Sequence, residues 1–565
     1  MATAPTGAWN SRAMGMMIGA TAKRSIIVTN GPAESSRTLN PTSRIAAEKP
    51  SDVRNLTPSP ASAYIDATGR IGLEGSGVKT PTAWLRRLCA GSILGLGLAL
   101  LPAGASATTT IACSGTTVVL CTGHTTEVSG LDANFKIEKP AVWNGTLVLY
   151  SHGYDSFTVP LPPQDAGDAY TGGWLLGHGY AIAGSAYARA GWSLQQAFQD
   201  QIAVLNVFDT RFSHPTRTIA WGHSLGGMIT AGLIQLYPDR FTAALPMCGV
   251  VAGGVGVWNQ GLDSEFALLT LQSPGAFKLT GFTSKADVDA NFYAAYGAAV
   301  AALATPKGRA HLALANALAD VPGWFDPASP EPAATDYLTQ VKNQVEWMKN
   351  PNLYFGFYGR AELEVRAGGN FSWNTGVDYK EQLARSTQKA EVKALYAAAG
   401  LDLAEELDKL NDTHRISANP AAVAYLTKYI VYNGNIEQPV LTLHTTGDGL
   451  VQVTDEQAYA SVVKSAGNSS LLRQAYVHRA GHCTFTPAET ISAFQTLVNR
   501  IDTGQWHGIN AAAFNAKALA LGALNAPWPA SFINYKPGQF LRPFDARNLS
   551  GEGDSGDSGN SGNSN

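Results

Sequence analysis

The chain has 565 residues, of which 40 are Lys or Arg and 43 are Asp or Glu, so its formal net charge is −3. Hydrophobic residues make up 45% of the chain, enough for a large core, which excludes a wholly disordered protein. The near-neutral charge also differs from the basic balance of nucleic-acid-binding proteins, so no nucleic-acid partner is expected.

The N-terminal region contains a segment typical of a secretory signal peptide. A pair of arginines precedes the apolar run Leu88–Leu101, and the small-residue site Ala105–Ala107 follows it. The run is shorter than the roughly 20 residues that span a bilayer. Residues 78–107 are therefore predicted to be a signal peptide, which implies a secreted or periplasmic protein without a stable membrane span. The alternative is a buried core helix.

The two ends of the chain have compositions that cannot build a core. Residues 1–77 are polar and lack helical or strand periodicity, and they are predicted to be an upstream extension from a mis-assigned start. Residues 546–565 end in a run of Gly, Ser, Asn and Asp and are predicted to be a disordered tail.

From Asn144 onwards, β-rich runs alternate with segments of helical periodicity. Strands alternating with helices at this spacing predict a parallel sheet built by right-handed crossovers. The predicted strands are 146–150, 180–186, 218–221, 242–246, 439–444 and 471–477, and the predicted helices are 194–208, 225–237 and 488–498.

This alternation is interrupted at residues 262–427, which are Ala-rich and mostly helical. We predict an α/β core, a mostly parallel doubly wound sheet made of 108–261 and 428–545, with 262–427 inserted as a helical lid or cap. Most aromatic residues of the insertion are expected to pack in its own core, and a few to line an apolar substrate pocket. These residues are Trp324, Phe325, Trp347, Tyr354, Phe355, Phe357, Tyr358, Phe371 and Trp373.

Residues 222–226 have the sequence GHSLG, which fits the G-x-S-x-G pattern of a nucleophile elbow. In this pattern a serine occupies a sharp turn between a strand and a helix, so that its hydroxyl is exposed above the sheet. The motif follows a predicted strand and opens a predicted helix, as the pattern requires. Ser224 is therefore the predicted nucleophile, and the alternative is a Gly-rich turn with an idle serine.

Two backbone N–H groups are expected to stabilise the oxyanion that forms on attack by the serine. One belongs to Leu225, directly after the nucleophile. The other is expected in the loop His152-Gly153-Tyr154, where Tyr154 is the predicted donor and Gly153 the reserve. Backbone donors suit this task because they need no reorganisation as charge develops.

A serine nucleophile of this kind needs a histidine base and an acid that orients the histidine. Asp448 and His482 each follow a predicted strand, where loops at the carboxyl edge of the sheet can hold them. They are the predicted acid and base, and Asp263 is the reserve acid. His444 and His478 are expected to be structural.

The order Ser224, Asp448, His482 resembles that of the α/β-hydrolase superfamily, over residues 144–259 and 436–502. The HGY and GHSLGG motifs are similar to those of secreted lipases, cutinase-like esterases and prolyl-oligopeptidase-type hydrolases. The resemblance implies an α/β-hydrolase fold and a serine esterase-like activity.

The His482-Cys483 step is similar to that of the tannase and feruloyl-esterase family, in which a cysteine beside the nucleophile bridges to it. In this chain His223, not a cysteine, precedes Ser224. The aryl-ester specificity of that family is therefore not implied.

The five cysteines form no CxxC pair and no zinc-type cluster with histidines, so no metal is expected. The four cysteines after the signal peptide allow three pairings. Cys113 and Cys121 could close a small hairpin, which leaves Cys248 and Cys483. A Cys248–Cys483 bridge would tether the histidine loop beside the site, and the alternative is two free, buried thiols.

These observations predict a secreted serine hydrolase that cleaves carboxylic esters, small or polymeric, through an acyl-enzyme and without a cofactor. Two alternatives remain. A prolyl-oligopeptidase-like peptidase or amidase would use the same residues, and a non-catalytic binding protein could share the fold. The sequence does not indicate the acyl or alcohol preference or the oligomeric state.

Overall fold

The computed structural model describes residues 111–126, 130–155 and 158–545, together with Asn548. The predicted upstream extension, the predicted signal peptide and, apart from Asn548, the predicted tail lie outside these residues. Within the described part, no helix is long and apolar enough to cross a membrane.

A ten-stranded mixed sheet forms the centre of the described chain, in the order β1-β2-β3-β5-β4-β6-β7-β8-β9-β10. The strands are β1 (Ala112–Ser114), β2 (Val118–Thr125), β3 (Ala133–Pro140), β4 (Thr146–Ser151), β5 (Ala181–Ser185), β6 (Arg217–His223), β7 (Ala243–Met247), β8 (Val440–Gly447), β9 (Leu472–Ala480) and β10 (Phe532–Ile533).

The α-helices of the described residues fall into a core set and an inserted set. The core helices are α1 (Ala169–Gly177), α2 (Leu194–Arg211), α3 (Leu225–Leu236), α12 (Pro420–Tyr429), α13 (Asp455–Ser465), α14 (Pro487–Thr503) and α15 (Ala511–Leu519). The inserted helices are α4 (Gly254–Gln272), α5 (Lys285–Ala302), α6 (Pro306–Ala317), α7 (Tyr337–Trp347), α8 (Arg360–Ala367), α9 (Tyr379–Arg385), α10 (Lys389–Ala399) and α11 (Leu403–Asp412). Short 3₁₀ or π segments complete the helical structure at Pro238–Arg240, Met348–Asn352, Phe355–Gly359 and Gly522–Asn525.

The six central strands, β5, β4, β6, β7, β8 and β9, are parallel to one another, whereas β1, β2, β3 and β10 pair antiparallel at the two edges. All six residues of β4 are buried, as expected for a parallel strand covered on both faces. Leu147 and Leu149 pack in the core on one face of the sheet, and Val148 and Tyr150 pack in the core on the other.

Helices cover both faces of the sheet. Buried residues of α2, α3, α12 and α13 belong to the first core, and those of α1, α14 and α15 to the second. Helix α14 begins with a capping box, in which Thr486 and Glu489 each bond the other's backbone N–H, and Pro487 occupies its first turn. This doubly wound, mostly parallel sheet confirms the predicted fold class, the α/β-hydrolase fold.

The residues between β7 and β8 build a helical body with a hydrophobic core of its own, formed mainly by α4–α11. Helix α4 begins at Gly254, so the boundary predicted at residues 261 and 262 falls inside it. The second boundary, predicted at residues 427 and 428, falls inside helix α12, whose Leu426 packs in the first sheet core. The division into core and lid at these residue numbers stays a prediction.

The structure adds elements to those predicted from the sequence. Strands β1–β3 precede the first predicted strand, and β1 and β2 form the hairpin that Cys113 and Cys121 were expected to close. Helix α1 lies between the first two predicted strands. After α14, the last predicted helix, α15 and β10 follow, and β10 pairs with β9.

Candidate active site

Ser224 lies between the end of β6 and the start of α3 with φ 57° and ψ −125°. This is a left-handed conformation that non-glycine residues rarely adopt, and such strain clusters at functional sites. The flanking glycines are required by close approach, since a Cβ on Gly222 would lie 2.4 Å from Gly226 O and one on Gly226 would lie 2.0 Å from Ser151 O. The motif therefore packs against the end of β4 and projects the serine from the sheet.

Three predicted site residues meet above the carboxyl edge of the sheet. His482 Nε2 lies 2.8 Å from Ser224 Oγ, and His482 Nδ1 lies 2.7 Å from Asp448 Oδ2. Both bonds are satisfied when the neutral imidazole carries its proton on Nδ1, donates it to Asp448 and accepts the serine O–H. Residues 258 positions apart in the chain thus form one continuous hydrogen-bonded series.

Asp448 is buried in the loop after β8, with 1% of its surface exposed. Its Oδ1 accepts the backbone N–H groups of Leu450 and Val451, at 3.0 and 3.1 Å. Its Oδ2 is thereby aimed at His482. The reserve acid Asp263 lies elsewhere, on α4, where it accepts hydrogen bonds from Tyr379, Gln382 and Arg542.

His444, expected to be structural, contributes a buried charge beside Asp448. Its Nδ1 lies 3.2 Å from Glu456 Oε1, and its Nε2 lies 2.9 Å from Val451 O and 3.7 Å from Asp448 Oδ2. Both partners accept, so both ring nitrogens donate, as in an imidazolium. Burial alone would lower the pKa of His444, but the hydrogen bond and charge of Glu456 and the charge of Asp448 raise it to about 9. His444 therefore neutralises part of the charge buried around Asp448.

We expect the proton on His444 to make stability depend on pH. Its pKa of about 9 exceeds the unfolded value near 6.5, so its contribution is full below pH 6.5 and is lost as the pH rises through 9. The free energy of unfolding should fall by roughly 2 kcal/mol from this group between pH 7 and pH 9. Urea unfolding at pH 7, 8 and 9 measures this decrease in the free energy of unfolding.

The matched comparison for this pH series is the His444→Gln variant, which keeps a hydrogen-bonding side chain without the titration. Glu391, whose pKa burial raises to about 8, also titrates in this window, so the difference between the two proteins isolates His444. Identical pH slopes for wild type and variant would contradict an imidazolium at this position.

A disulfide holds the loop that carries His482. Cys483 is bonded to Cys248, which follows β7 directly, and Cys113 is bonded to Cys121 within the β1–β2 pair. Ser224 N donates to Met247 O, so the bridge ties the histidine loop to the residue next to the serine's own backbone partner. Both predicted pairings are thus formed in the structure.

We expect loss of the Cys248–Cys483 bridge to impair catalysis as well as stability. A Cys248→Ser, Cys483→Ser double variant should lose about 2–4 kcal/mol of stability. Its kcat should fall by about 10- to 100-fold, because small displacements of a catalytic group are costly. Kinetics at a temperature where the variant remains folded measure the second effect.

The other disulfide supplies the matched control for this variant. The Cys113–Cys121 bridge lies in an edge strand pair remote in the sheet from β7. Its double serine variant should keep full activity, even if it unfolds more easily. Equal losses of kcat in both double variants would contradict a specific role for the histidine-loop bridge.

The loop after β4 places a backbone segment beside Ser224. A Cβ on Gly153 would lie 3.2 Å from Ser224 Cβ, and Tyr154 lines the same cavity as Ser224 and Leu225. His152 stacks on Tyr187, whose hydroxyl donates to His152 O, so these contacts of the histidine hold the loop in shape. Leu225 N and Tyr154 N remain predicted oxyanion donors.

The insertion contacts this loop through Tyr154. Its hydroxyl donates to Glu362 Oε2 at 3.3 Å, and Glu362 of α8 also accepts the N–H of Trp192 and pairs with Arg366. Burial, followed by the charge of Glu362, raises the pKa of Tyr154 well above its usual value, so the phenol stays protonated. Helix α8 thus helps to hold the loop in place.

His223, next to the nucleophile, is kept neutral. Burial and the nearby His482 lower the pKa of His223 to about 3. Its ring lies among Tyr150, Trp221 and Phe485. It therefore brings no competing positive charge beside the nucleophile.

A cavity of about 120 Å³ opens from Ser224 between the sheet and the insertion. Its lining is largely apolar and draws on the loops after β4, β6, β7 and β8 and on α4 and residues 348–360. Of the nine aromatic residues considered for the pocket in the sequence, Phe355 lines the cavity. Phe357 packs instead in the core of the insertion. The main apolar lining residues are Tyr154, Trp192, Val257, Trp258, Leu353 and Phe355.

Sequence reasoning missed several lining residues. Trp192 and Trp258 lie before the predicted lid, and Glu265 and Arg360 carry charge inside an apolar cavity. The sequence feature that could have pointed to one of them is Glu265, an acidic residue next to an apolar stretch of α4. No group of three or more His, Cys, Asp or Glu side chains suited to a metal occurs in the described part of the chain.

The sheet with its elbow serine defines the class: the chain has the α/β-hydrolase fold, and the matches that follow support a serine hydrolase of this superfamily, as the sequence resemblance predicted. Residues 174–253 match the model of the prolyl oligopeptidase family. The chain is 28% identical to the o-phthalyl amidase of Xanthobacter agilis over 420 residues, which cover 69% of this chain and 89% of that protein.

Two solved structures are similar to this one at lower identity. The rice cell wall degrading esterase of Xanthomonas oryzae is 14% identical, with a TM-score of 0.33, over 68% of this chain and 90% of that one. Feruloyl esterase B from Aspergillus oryzae is 13% identical, with a TM-score of 0.35, over 69% and 82% of the two chains.

Proposed function

We propose that the protein cleaves carboxylic esters with Ser224 as nucleophile, His482 as general base and Asp448 as the acid that orients the histidine. The observation that carries this proposal is the Asp448–His482–Ser224 hydrogen-bonded series at the mouth of an apolar cavity. Such a cavity suits the acyl or alcohol part of an organic ester.

The proposed reaction proceeds in two halves. Ser224 Oγ attacks the ester carbonyl carbon while His482 Nε2 takes the serine proton. The backbone N–H groups of Leu225 and Tyr154 donate hydrogen bonds to the oxyanion, and the N–H of Gly153 is the alternative to that of Tyr154. The intermediate then expels the alcohol, which takes the proton from His482, and leaves an acyl-enzyme. Water, activated by His482, releases the acid and restores Ser224.

Amide hydrolysis is the second candidate, and the likeness to a protein named o-phthalyl amidase favours it. The same residues would serve, because His482 can protonate a departing amine as well as an alcohol. An amine is the poorer leaving group, so the amidase assignment demands efficient proton delivery. Ester and amide substrates with the same acyl group therefore separate the two candidates.

We also propose that the mature protein is exported, with cleavage after Ala107. Two disulfides support this, since such bonds persist in oxidising compartments. The N-terminal sequence of protein recovered from the periplasm or medium of its natural host tests it. Recovery of the uncleaved chain in the cytoplasm would contradict export.

The function is tested with 4-nitrophenyl acetate, butyrate and octanoate beside the 4-nitroanilides of the same acids and of peptides. Rapid cleavage of the esters by wild type, lost in Ser224→Ala, would support the esterase. Faster turnover of anilides than of matched esters would move the assignment to an amidase or peptidase. Absence of cleavage for every substrate would favour a binding protein and contradict the proposal.

A further inference from the structure

An ionic pair lies inside the apolar cavity that contains Ser224. Glu265 of α4 and Arg360, the first residue of α8, both line this cavity. The side chain of Arg360 is 0% exposed and that of Glu265 is 8% exposed. Their closest charged atoms are 4.0 Å apart, which is too far for a direct hydrogen bond. The two charges therefore share a buried site without satisfying each other.

Arg360 is held rigidly although part of its guanidinium is unused. Its Nε donates to Gly356 O at 3.2 Å, and its Nη2 lies 3.4 Å from Trp258 O. The guanidinium also lies over the rings of Trp258 and Phe371, at 5.4 and 5.3 Å. Its orientation is thus set before any ligand arrives, as in a pre-organised binding group.

Three buried polar atoms at this place have no hydrogen-bond partner in the protein: Arg360 Nη1, Trp258 Nε1 and Glu265 Oε2. An unpaired buried polar group is costly, so a cluster of three in the cavity that contains the nucleophile calls for a ligand. Two of these atoms are donors and one is an acceptor. A carboxyl group that shares one proton with the glutamate complements this set.

We propose, on the basis of the proposed function, that the substrate carries a free carboxyl group in addition to the scissile bond. Arg360 and Trp258 bind this carboxyl group, and Glu265 shares a proton with it. The substrate class is then an ester, or amide, with a second acid function. The carboxyl group belongs either to the acid part, as in a half-ester of a dicarboxylic acid, or to the alcohol part.

The state of Glu265 is compatible with this role. Burial raises the pKa of Glu265 to about 7, although the charge of Arg360 opposes the rise. Near and below neutral pH the glutamate carries the shared proton and can donate it to a carboxylate. Above that range its charge repels the ligand, so the preference for acidic substrates should decline as the pH rises through about 7.

The first experiment compares matched substrates. Mono-4-nitrophenyl esters of glutaric, adipic and suberic acid are measured beside the same esters with the far carboxyl methylated, after subtraction of spontaneous hydrolysis. Acetylsalicylate beside its methyl ester tests a carboxyl group on the alcohol part. We expect kcat/KM to favour the free acid by at least about tenfold in one series, mainly through KM.

The variants show whether this preference comes from the cluster. Arg360→Gln and Arg360→Lys should bring the ratio of free to methylated substrate close to one. Glu265→Gln should prefer the free acid at both pH 6 and pH 8, whereas wild type should lose this preference at pH 8. Arg415→Gln is the matched control, because Arg415 also stacks over two aromatic rings of the insertion but does not line the cavity.

A binding readout covers the case in which the Arg360 variants do not fold. Calorimetry with Ser224→Ala should show that the monomethyl ester of glutarate, adipate or suberate binds at pH 6 more tightly than the dimethyl ester, which has no free carboxyl group. Equal or better use of the methylated substrates in every series, or equal binding of the monomethyl and dimethyl esters, would overturn the inference while leaving the esterase intact. Loss of all ester cleavage would instead overturn the proposed function.

Discussion

Replacing Ser224 by alanine is expected to lower kcat for ester hydrolysis by at least about 10⁴-fold, with the fold intact. Ser224 Oγ is the atom that His482 Nε2 contacts, at 2.8 Å, and no acyl-enzyme forms without it. Alanine fits the turn because its side chain is the smaller of the two. Steady-state kinetics on 4-nitrophenyl butyrate, with circular dichroism and thermal unfolding of both proteins, measure the effect.

The control for this variant is Ser469→Ala, at an exposed position before β9. It removes the same hydroxyl from the surface and should retain wild-type kcat and KM. If Ser224→Ala still hydrolyses esters at more than a few per cent of the wild-type rate, Ser224 is not the nucleophile. Another residue would then have to attack the ester.

Replacing Asp448 by asparagine is expected to lower kcat by about 10⁴-fold while KM changes little. The two backbone N–H groups at Oδ1 keep the amide oxygen of the asparagine on their side. Its NH₂ group then faces His482 Nδ1, which must accept a hydrogen bond and lose its proton. The proton moves to Nε2, where the histidine can no longer take one from Ser224. Kinetics at constant pH measure the loss.

Asp263→Asn is the matched control, because Asp263 is also buried and was the alternative acid in the sequence. Its carboxylate accepts hydrogen bonds from Tyr379, Gln382 and Arg542, so the change should cost on the order of 1–3 kcal/mol of stability. It should leave kcat of the folded protein within about twofold, since none of these partners belongs to the Asp448–His482–Ser224 series. A larger loss of kcat in Asp263→Asn than in Asp448→Asn would reverse the assignment of the acid.

Local sequence features predicted the part of the fold that carries the nucleophile. Strand β6 and helix α3 were expected at 218–221 and 225–237, and the structure has them at 217–223 and 225–236. A β-rich run, two glycines and an apolar helix are enough to define such a turn, because each preference acts within a few residues. The positive φ of Ser224 follows from the same turn.

The sequence prediction began at Asn144 and missed β3, although the residues of this strand alternate. Phe135 and Ile137 are apolar and buried, whereas Lys136 and Glu138 are charged and form an ion pair on the other face. This period of two is typical of a strand with one buried face. Only the tertiary structure places the strand between β2 and β5, where it pairs antiparallel with both.

The cavity shows the same limit. Glu265 and Arg360 are 95 positions apart, and neither has a local motif that predicts a place beside Ser224. Their meeting depends on how α4 and α8 pack around Trp258 and Phe371. Charged residues are mostly exposed in proteins, so residue type alone gives no reason to expect either of them inside a cavity.

The sequence by itself determined the fold class, the turn around Ser224 and the chain order of the candidate acid and base. Only the tertiary structure decided that Asp448 rather than Asp263 reaches His482, that His444 lies beneath that acid, and which groups face the cavity. The reason is physical. Backbone preferences act over a few neighbouring residues, whereas hydrogen bonds and buried charges join groups that the chain brings together only when the whole sheet and its insertion have packed.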